Sequence, residues 1–115
     1  MKVVNVKEVK EIRKGDAATK NLRLVKTLCE SKNMSVHMAV FPPRNSSTKH
    51  VHQNSEEICF VIKGKGEVTS GKESFKFGSN TLIFIPENVP HQYNNPGEEE
   101  MVLLVIYSPP AELPK

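Results

Sequence analysis

The stretch Lys49-His50-Val51-His52-Gln53-Asn54-Ser55-Glu56-Glu57 concentrates side chains that can hold a metal. On an extended strand, residues two apart point to one face, so His50 and His52 can aim two imidazoles at one point. Neutral imidazole is a ligand for zinc, iron, nickel, copper or manganese. Asn54-Ser55 offers a turn, after which Glu56 or Glu57 opens the next strand. A carboxylate there would balance part of the charge of a divalent cation and add an oxygen donor. Two histidines at this spacing are, by themselves, more often ordinary surface residues. His91 adds a third. It follows Pro86-Glu87-Asn88-Val89-Pro90, a loop stiffened by two prolines, in which Asn88 can take a left-handed turn conformation.

The elements that must position these residues are short. Segments rich in Val, Ile, Phe and Leu run over Asn21–Leu28, Met34–Phe41, Glu57–Ile62, Glu67–Ser70, Ser74–Phe77, Thr81–Ile85, His91–Tyr93 and Met101–Tyr107. Turn residues punctuate them, among them Gly15-Asp16, Pro42-Pro43, Gly64-Lys65-Gly66 and Ser70-Gly71. Many short strands at regular spacing predict an all-β sandwich or barrel. Ser74–Phe77 alternates apolar and polar residues, as on a half-exposed strand. Ile58–Ile62 and Met101–Ile106 are apolar on both faces, which predicts strands covered on both sides by a core and by another layer or subunit. Such cover exceeds what 115 residues provide, so a homodimer is expected. Val6, Val9 and Ile12 have helical spacing over one or two turns, and could equally lie on a strand entering the sheet.

Composition narrows the function classes. The chain is 37% hydrophobic and 25% charged, in the range of a folded globular protein. It has no tryptophan and only 6% aromatic residues, which argues against stacking platforms for nucleic acid. The net charge of +3 is uneven: residues 1–26 hold 8 basic and 3 acidic side chains, net +5. Lys7, Glu8, Lys10, Glu11 and Arg13 are interspersed as on an ordinary solvated face, so no nucleic-acid partner is expected. The longest apolar run, Met101–Tyr107, falls far short of the roughly 20 residues that span a bilayer. The start, with Lys2, Asn5, Lys7 and Glu8, lacks a signal-peptide core, and Cys29 and Cys59 form no CxxC pair. Reduced thiols, a cytoplasmic location and no membrane partner are expected.

The two histidine-bearing stretches resemble the two motifs of the cupin superfamily. His50-Val51-His52 is followed by four residues, Glu57, six residues and Gly64; Pro86-Glu87-Asn88 is followed by two residues, His91, three residues and Asn95. The likeness covers about residues 34–107. Arg44 stands where the first motif opens with glycine, Gly78 lies two positions too early for the second, and Asn88 replaces that motif's inner glycine. Asn also tolerates positive φ, so this last change is mild.

The resemblance implies an all-β fold, a double-stranded β-helix (jelly-roll) barrel of two antiparallel sheets. One domain over residues 1–115 is expected, with an N-terminal strand or arm over 1–33. The resemblance also selects Glu57 over Glu56, through the spacing to Gly64. It implies one divalent metal, of Mn, Fe, Ni, Zn or Cu type, held by His50, His52, Glu57 and His91. Two coordination positions would remain for water, dioxygen or substrate. By strand parity Cys59 and Tyr93 line the same cavity; Tyr93 either donates a hydrogen bond to a ligand or packs, and Cys59 reads as a small apolar filler. His37 is a further candidate, as a substrate contact or proton carrier, or else a structural residue. The function implied is a small metalloenzyme of isomerase, lyase or dioxygenase type acting on a sugar, uronate or keto acid. The alternative is a cupin that binds or senses a small molecule without turnover.

Overall fold

A computed structural model describes residues 1–115. Nine strands make up the fold: β1 Ile12–Lys14, β2 Arg23–Glu30, β3 Ser35–Phe41, β4 Glu56–Lys63, β5 Gly66–Ser70, β6 Glu73–Phe77, β7 Leu82–Ile85, β8 Gln92–Asn94 and β9 Met101–Ser108. They form a six-stranded sheet in the order β1-β2-β3-β9-β4-β7 and a three-stranded sheet β6-β5-β8, antiparallel throughout. This is the all-β architecture of two antiparallel sheets expected from the sequence. The Val6–Glu8 stretch resolves as a single 3-10 turn, and Ile12 opens β1.

Register decides which residues meet. Ser35, His37, Ala39 and Phe41 of β3 stand opposite Tyr107, Val105, Leu103 and Met101 of β9. Tyr107, Val105 and Leu103 stand in turn opposite Glu57, Cys59 and Val61 of β4. All these odd-numbered residues point inward, because a strand's side chains alternate faces, and all are buried. The inner face therefore combines Val, Leu, Ala and Phe with a glutamate, a histidine and a tyrosine. Val68 and Tyr93 close the core from the smaller sheet.

The even residues of the large sheet face outward. Ile58 stands opposite Phe84 on one side and Ile106 on the other; Phe60 likewise meets Leu82 and Leu104. Phe84 is 51% exposed and Leu82 60%. The second apolar face expected of β4 and β9 is present, but within one chain it is not covered. On β6 the expected half-burial fails. Phe77 packs on the core, whereas Phe75 is 61% exposed because β6 is the edge of the three-stranded sheet. No helix is long and apolar enough to cross a membrane.

Candidate metal centre

The segment bearing His50 and His52 is not a regular strand, contrary to the expectation from its spacing. It is an irregular run laced onto β8 and the loop before it. Ser47 donates its N–H to the Tyr93 carbonyl at 2.8 Å, and His50 and His91 exchange both backbone hydrogen bonds, at 3.0 and 2.8 Å. The Asn88 N–H closes the lacing on the His52 carbonyl at 2.9 Å. Asn88 sits at φ 65°. The left-handed turn that the family's glycine would supply is thus made by asparagine, and it carries the chain from Pro86 back to His91. Arg44, where the first motif's glycine is missing, also takes positive φ, at 60°.

This lacing brings His50 beside His91 across one backbone bridge, while β4 delivers Glu57 from the facing sheet. One ligand atom from each of His50, Glu57 and His91 lies within 4.8 Å of the others, and the three could hold a metal ion. The tautomers follow from the partners. His50 Nδ1 is 2.9 Å from the Thr48 carbonyl, and His91 Nδ1 is 2.9 Å from the Val89 carbonyl. A carbonyl only accepts, so both Nδ1 atoms donate and both Nε2 atoms are turned to the interior, His50 Nε2 as a lone pair and His91 Nε2 toward Glu57. That is the arrangement by which backbone carbonyls orient metal-bound histidines. The Nε2 atoms of His50 and His52 are buried and have no protein partner. Orphaned buried nitrogens are costly, and a cation would satisfy them. His52 Nε2 lies 3.9 Å from Glu57 Oε1 and falls outside this three-residue cluster.

Glu57 is 1% exposed. Its Oε1 is 3.1 Å from His91 Nε2, and its Oε2 accepts a short hydrogen bond from the Tyr93 hydroxyl. Burial alone would raise the Glu57 pKa, but the His91 and Tyr93 hydrogen bonds and the nearby His50 outweigh it and hold the carboxylate ionised. For His91, burial is likewise overcome by Glu57, and its pKa is raised. A proton shared between His91 and Glu57 therefore stands where a cation would bind. Burial dominates at His50, pushing it down to about 4, and also lowers His52. Both are neutral imidazoles near pH 7, as metal coordination requires.

The sequence matches the Cupin domain family over residues 37–107. The chain belongs to the cupin family. Among related proteins, this cupin is 29% identical over 113 residues to the polyketide synthase CurC of Streptomyces cyaneus, covering 98% of this chain and 73% of that protein. It is 34% identical over 94 residues to auxin-binding protein 4 of Zea mays, covering 72% of this chain but only 46% of the maize protein. A Thermotoga maritima structure described as a predicted oxalate decarboxylase superposes with a TM-score of 0.85 at 18% identity, covering 93% of this chain and 98% of that one. KdgF from Halomonas superposes with a TM-score of 0.82 at 16% identity, covering 97% and 96%.

The other candidates distribute around the centre. Tyr93 lies in the wall and binds Glu57. Cys59 is fully buried, and burial with the Glu57 charge raises its pKa, so it stays a thiol. His37 is engaged at both ring nitrogens, with Thr27 Oγ1 and the Ala111 carbonyl, each at 3.0 Å. Two residues absent from the expectations stand in the same wall. Tyr107, in register with Glu57, lies with its ring centroid 4.4 Å from that of His52. Arg23 opens β2 with its side chain inside. Tyr107 had a signal in the sequence, the odd parity of Met101–Tyr107; Arg23 had none, since a lone basic residue before Leu24-Val25 reads as a strand end. With His50, Tyr93 and the apolar core, they line a cavity of about 20 Å³, roofed by Leu113 and Pro114.

Proposed function

We propose that this cupin is a small metalloenzyme acting on an oxygen-rich metabolite (a sugar, uronate or keto acid) by isomerase, lyase or dioxygenase chemistry. The observation that carries the reading is the buried His50–Glu57–His91 cluster, with both histidine Nε2 atoms turned inward by backbone carbonyls. His52, with its orphaned Nε2, completes the set as fourth ligand. A divalent ion held there supplies a Lewis acid for a carbonyl or enediolate oxygen. The chain's own residues do the rest. Tyr93 positions Glu57, His37 holds the segment around Ala111 through its ring, and the apolar lining excludes water.

Relatives support small-molecule chemistry at the fold's centre, the Thermotoga maritima protein being described as a predicted decarboxylase. The polar groups in the wall favour catalysis over passive sensing, since an enzyme needs hydrogen-bonding groups within about 3 Å of bound substrate. The outer face around Ile58 and Phe84 is read as a homodimer interface, and the location as cytoplasmic.

Elemental analysis of purified protein tests the metal reading. About one divalent ion per chain is expected, and His52→Ala should lose it while staying folded. Full metal content in that variant removes His52 from the set. Metal-loaded protein should turn over at least one sugar, uronate or keto acid, with or without dioxygen. Binding of such a compound with no conversion over hours would assign the protein to the non-catalytic sensors.

A further inference from the structure

In the wall of the cavity that His50 lines stands a buried cation without a counter-charge. Arg23 is 3% exposed. Its Nε donates to the Asn21 carbonyl at 3.0 Å and its Nη1 to the Pro114 carbonyl at 3.3 Å. Its Nη2 is buried and has no partner. The ion pairs of the molecule join Arg44 to Glu98 and two histidines to Glu57, and none includes Arg23. Withdrawing a guanidinium from water without an anion is expensive, and a well-packed apolar residue in its place is often neutral or stabilising. Core filling therefore does not account for arginine here.

A second orphan lines the same cavity. The Tyr107 hydroxyl is buried without a partner, and its ring stands beside His52. Arg23, Tyr107 and His50 all line this cavity, and Arg23 Nη2, the Tyr107 hydroxyl and His50 Nε2 are each buried without a hydrogen-bond partner.

We propose that Arg23, assisted by the Tyr107 hydroxyl, binds the carboxylate of a small carboxylic acid whose reacting oxygens face His50 and Glu57. The planar guanidinium fork matches the two oxygens of a carboxylate, and the bond is charge-assisted. The Pro114 carbonyl now at Nη1 stands where one of those oxygens goes. A cavity of about 20 Å³ holds little more than one water, so the acid displaces Leu113 and Pro114 on entry. This assignment rests on reading the cavity as the substrate site.

The test uses the full chain, with its metal content measured beforehand. Glycolate, pyruvate, 2-oxoglutarate and glucuronate are titrated by calorimetry, each beside its neutral amide. At least one acid is expected to bind while its amide does not. Arg23→Met should keep metal content, be at least as stable as the wild type without ligand, and bind that acid roughly ten- to a hundredfold more weakly. Arg23→Lys keeps the charge without the fork and should fall between. Equal binding of acid and amide, no binding of any acid, or wild-type affinity in Arg23→Met would each overturn the proposal. So would joint loss of metal, stability and acid in Arg23→Met, which would make Arg23 a structural residue. Binding that depends on Arg23 in protein holding no metal would leave this assignment standing and sink the metal reading instead.

Discussion

His50 and His91 are held alike, each giving Nδ1–H to the carbonyl two residues before it. The chain bends back at each site just enough to fix the ring, and the fixed ring leaves one nitrogen for the cavity. Glu57 is fixed from the other side by Tyr93. This makes Tyr93 a positioning residue, and Tyr93→Phe removes only the hydroxyl that holds Oε2. Metal affinity should then fall about ten- to a hundredfold, the usual effect of losing a partner that orients a ligand. Competition with a chromophoric chelator measures it. Unchanged affinity alongside lower stability would show that Tyr93 only packs.

At the scale of elements, the loops carry the geometry. Three positive-φ residues bracket the histidine-bearing runs: Arg44 before His50, Gly64 after β4 and Asn88 before His91. Gly64 has φ 90°, and a Cβ there would meet the Glu100 carbonyl oxygen at 2.5 Å. Gly64→Ala should therefore destabilise the fold by about 1–3 kcal/mol or more, through strain at positive φ and through that backbone clash. Asn88→Gly, which keeps access to the same conformation, should change stability far less. Urea denaturation of both variants reads the difference, and equal stabilities would show that the β4–β5 turn can adjust. Asn95, which closes the second motif, is a knot of the same kind. Its side-chain NH2 donates to the carbonyls of Phe41, Pro42 and Glu99 at 2.8–3.1 Å, tying the end of β3 to the approach to β9.

For the whole molecule, two properties follow. The outer face of the large sheet runs from Ile106 through Ile58 to Phe84 as one apolar stripe. Light scattering should give about 26 kDa, twice the 12.9 kDa of one chain, and Phe84→Glu should shift the mass toward the single-chain value. A wild-type mass of one chain at micromolar concentration would rule out the dimer. The second property is pH dependence of the metal-free protein. Burial lowers the pKa of His37, His50 and His52, His50 from 6.5 to about 4, while His91 alone is raised. A lowered group contributes stability that is present above its unfolded value and is lost as pH falls through its folded value. The large depression at His50 decides the sign. Stability should decline from about pH 6.5 toward pH 4, and His50→Gln should flatten the curve. A flat wild-type curve over that interval would contradict the burial of these rings.

Much of this was legible in the residues. The eight apolar segments match β2 to β9 within two residues at each end, because alternation and turn residues are local signals. The histidines, the glutamate and their spacing were equally visible, since they are matters of residue type and order. That His50 and His52 sit on an irregular run was not legible, because the bonds that hold it come from Asn88, His91 and Tyr93, some forty residues away. Strand parity groups residues by face but does not say which face is inner; that is settled by which strands pair. Pairing of β3, β9 and β4 places Tyr107 opposite Glu57, and burial of the first residue of β2 puts Arg23 inside without an acid. The sequence by itself thus determined the candidate metal-binding residues and the family of the fold. Tertiary structure alone decided which side chains gather at the centre and which buried charge lines the cavity beside it, because both depend on contacts between residues remote in the chain.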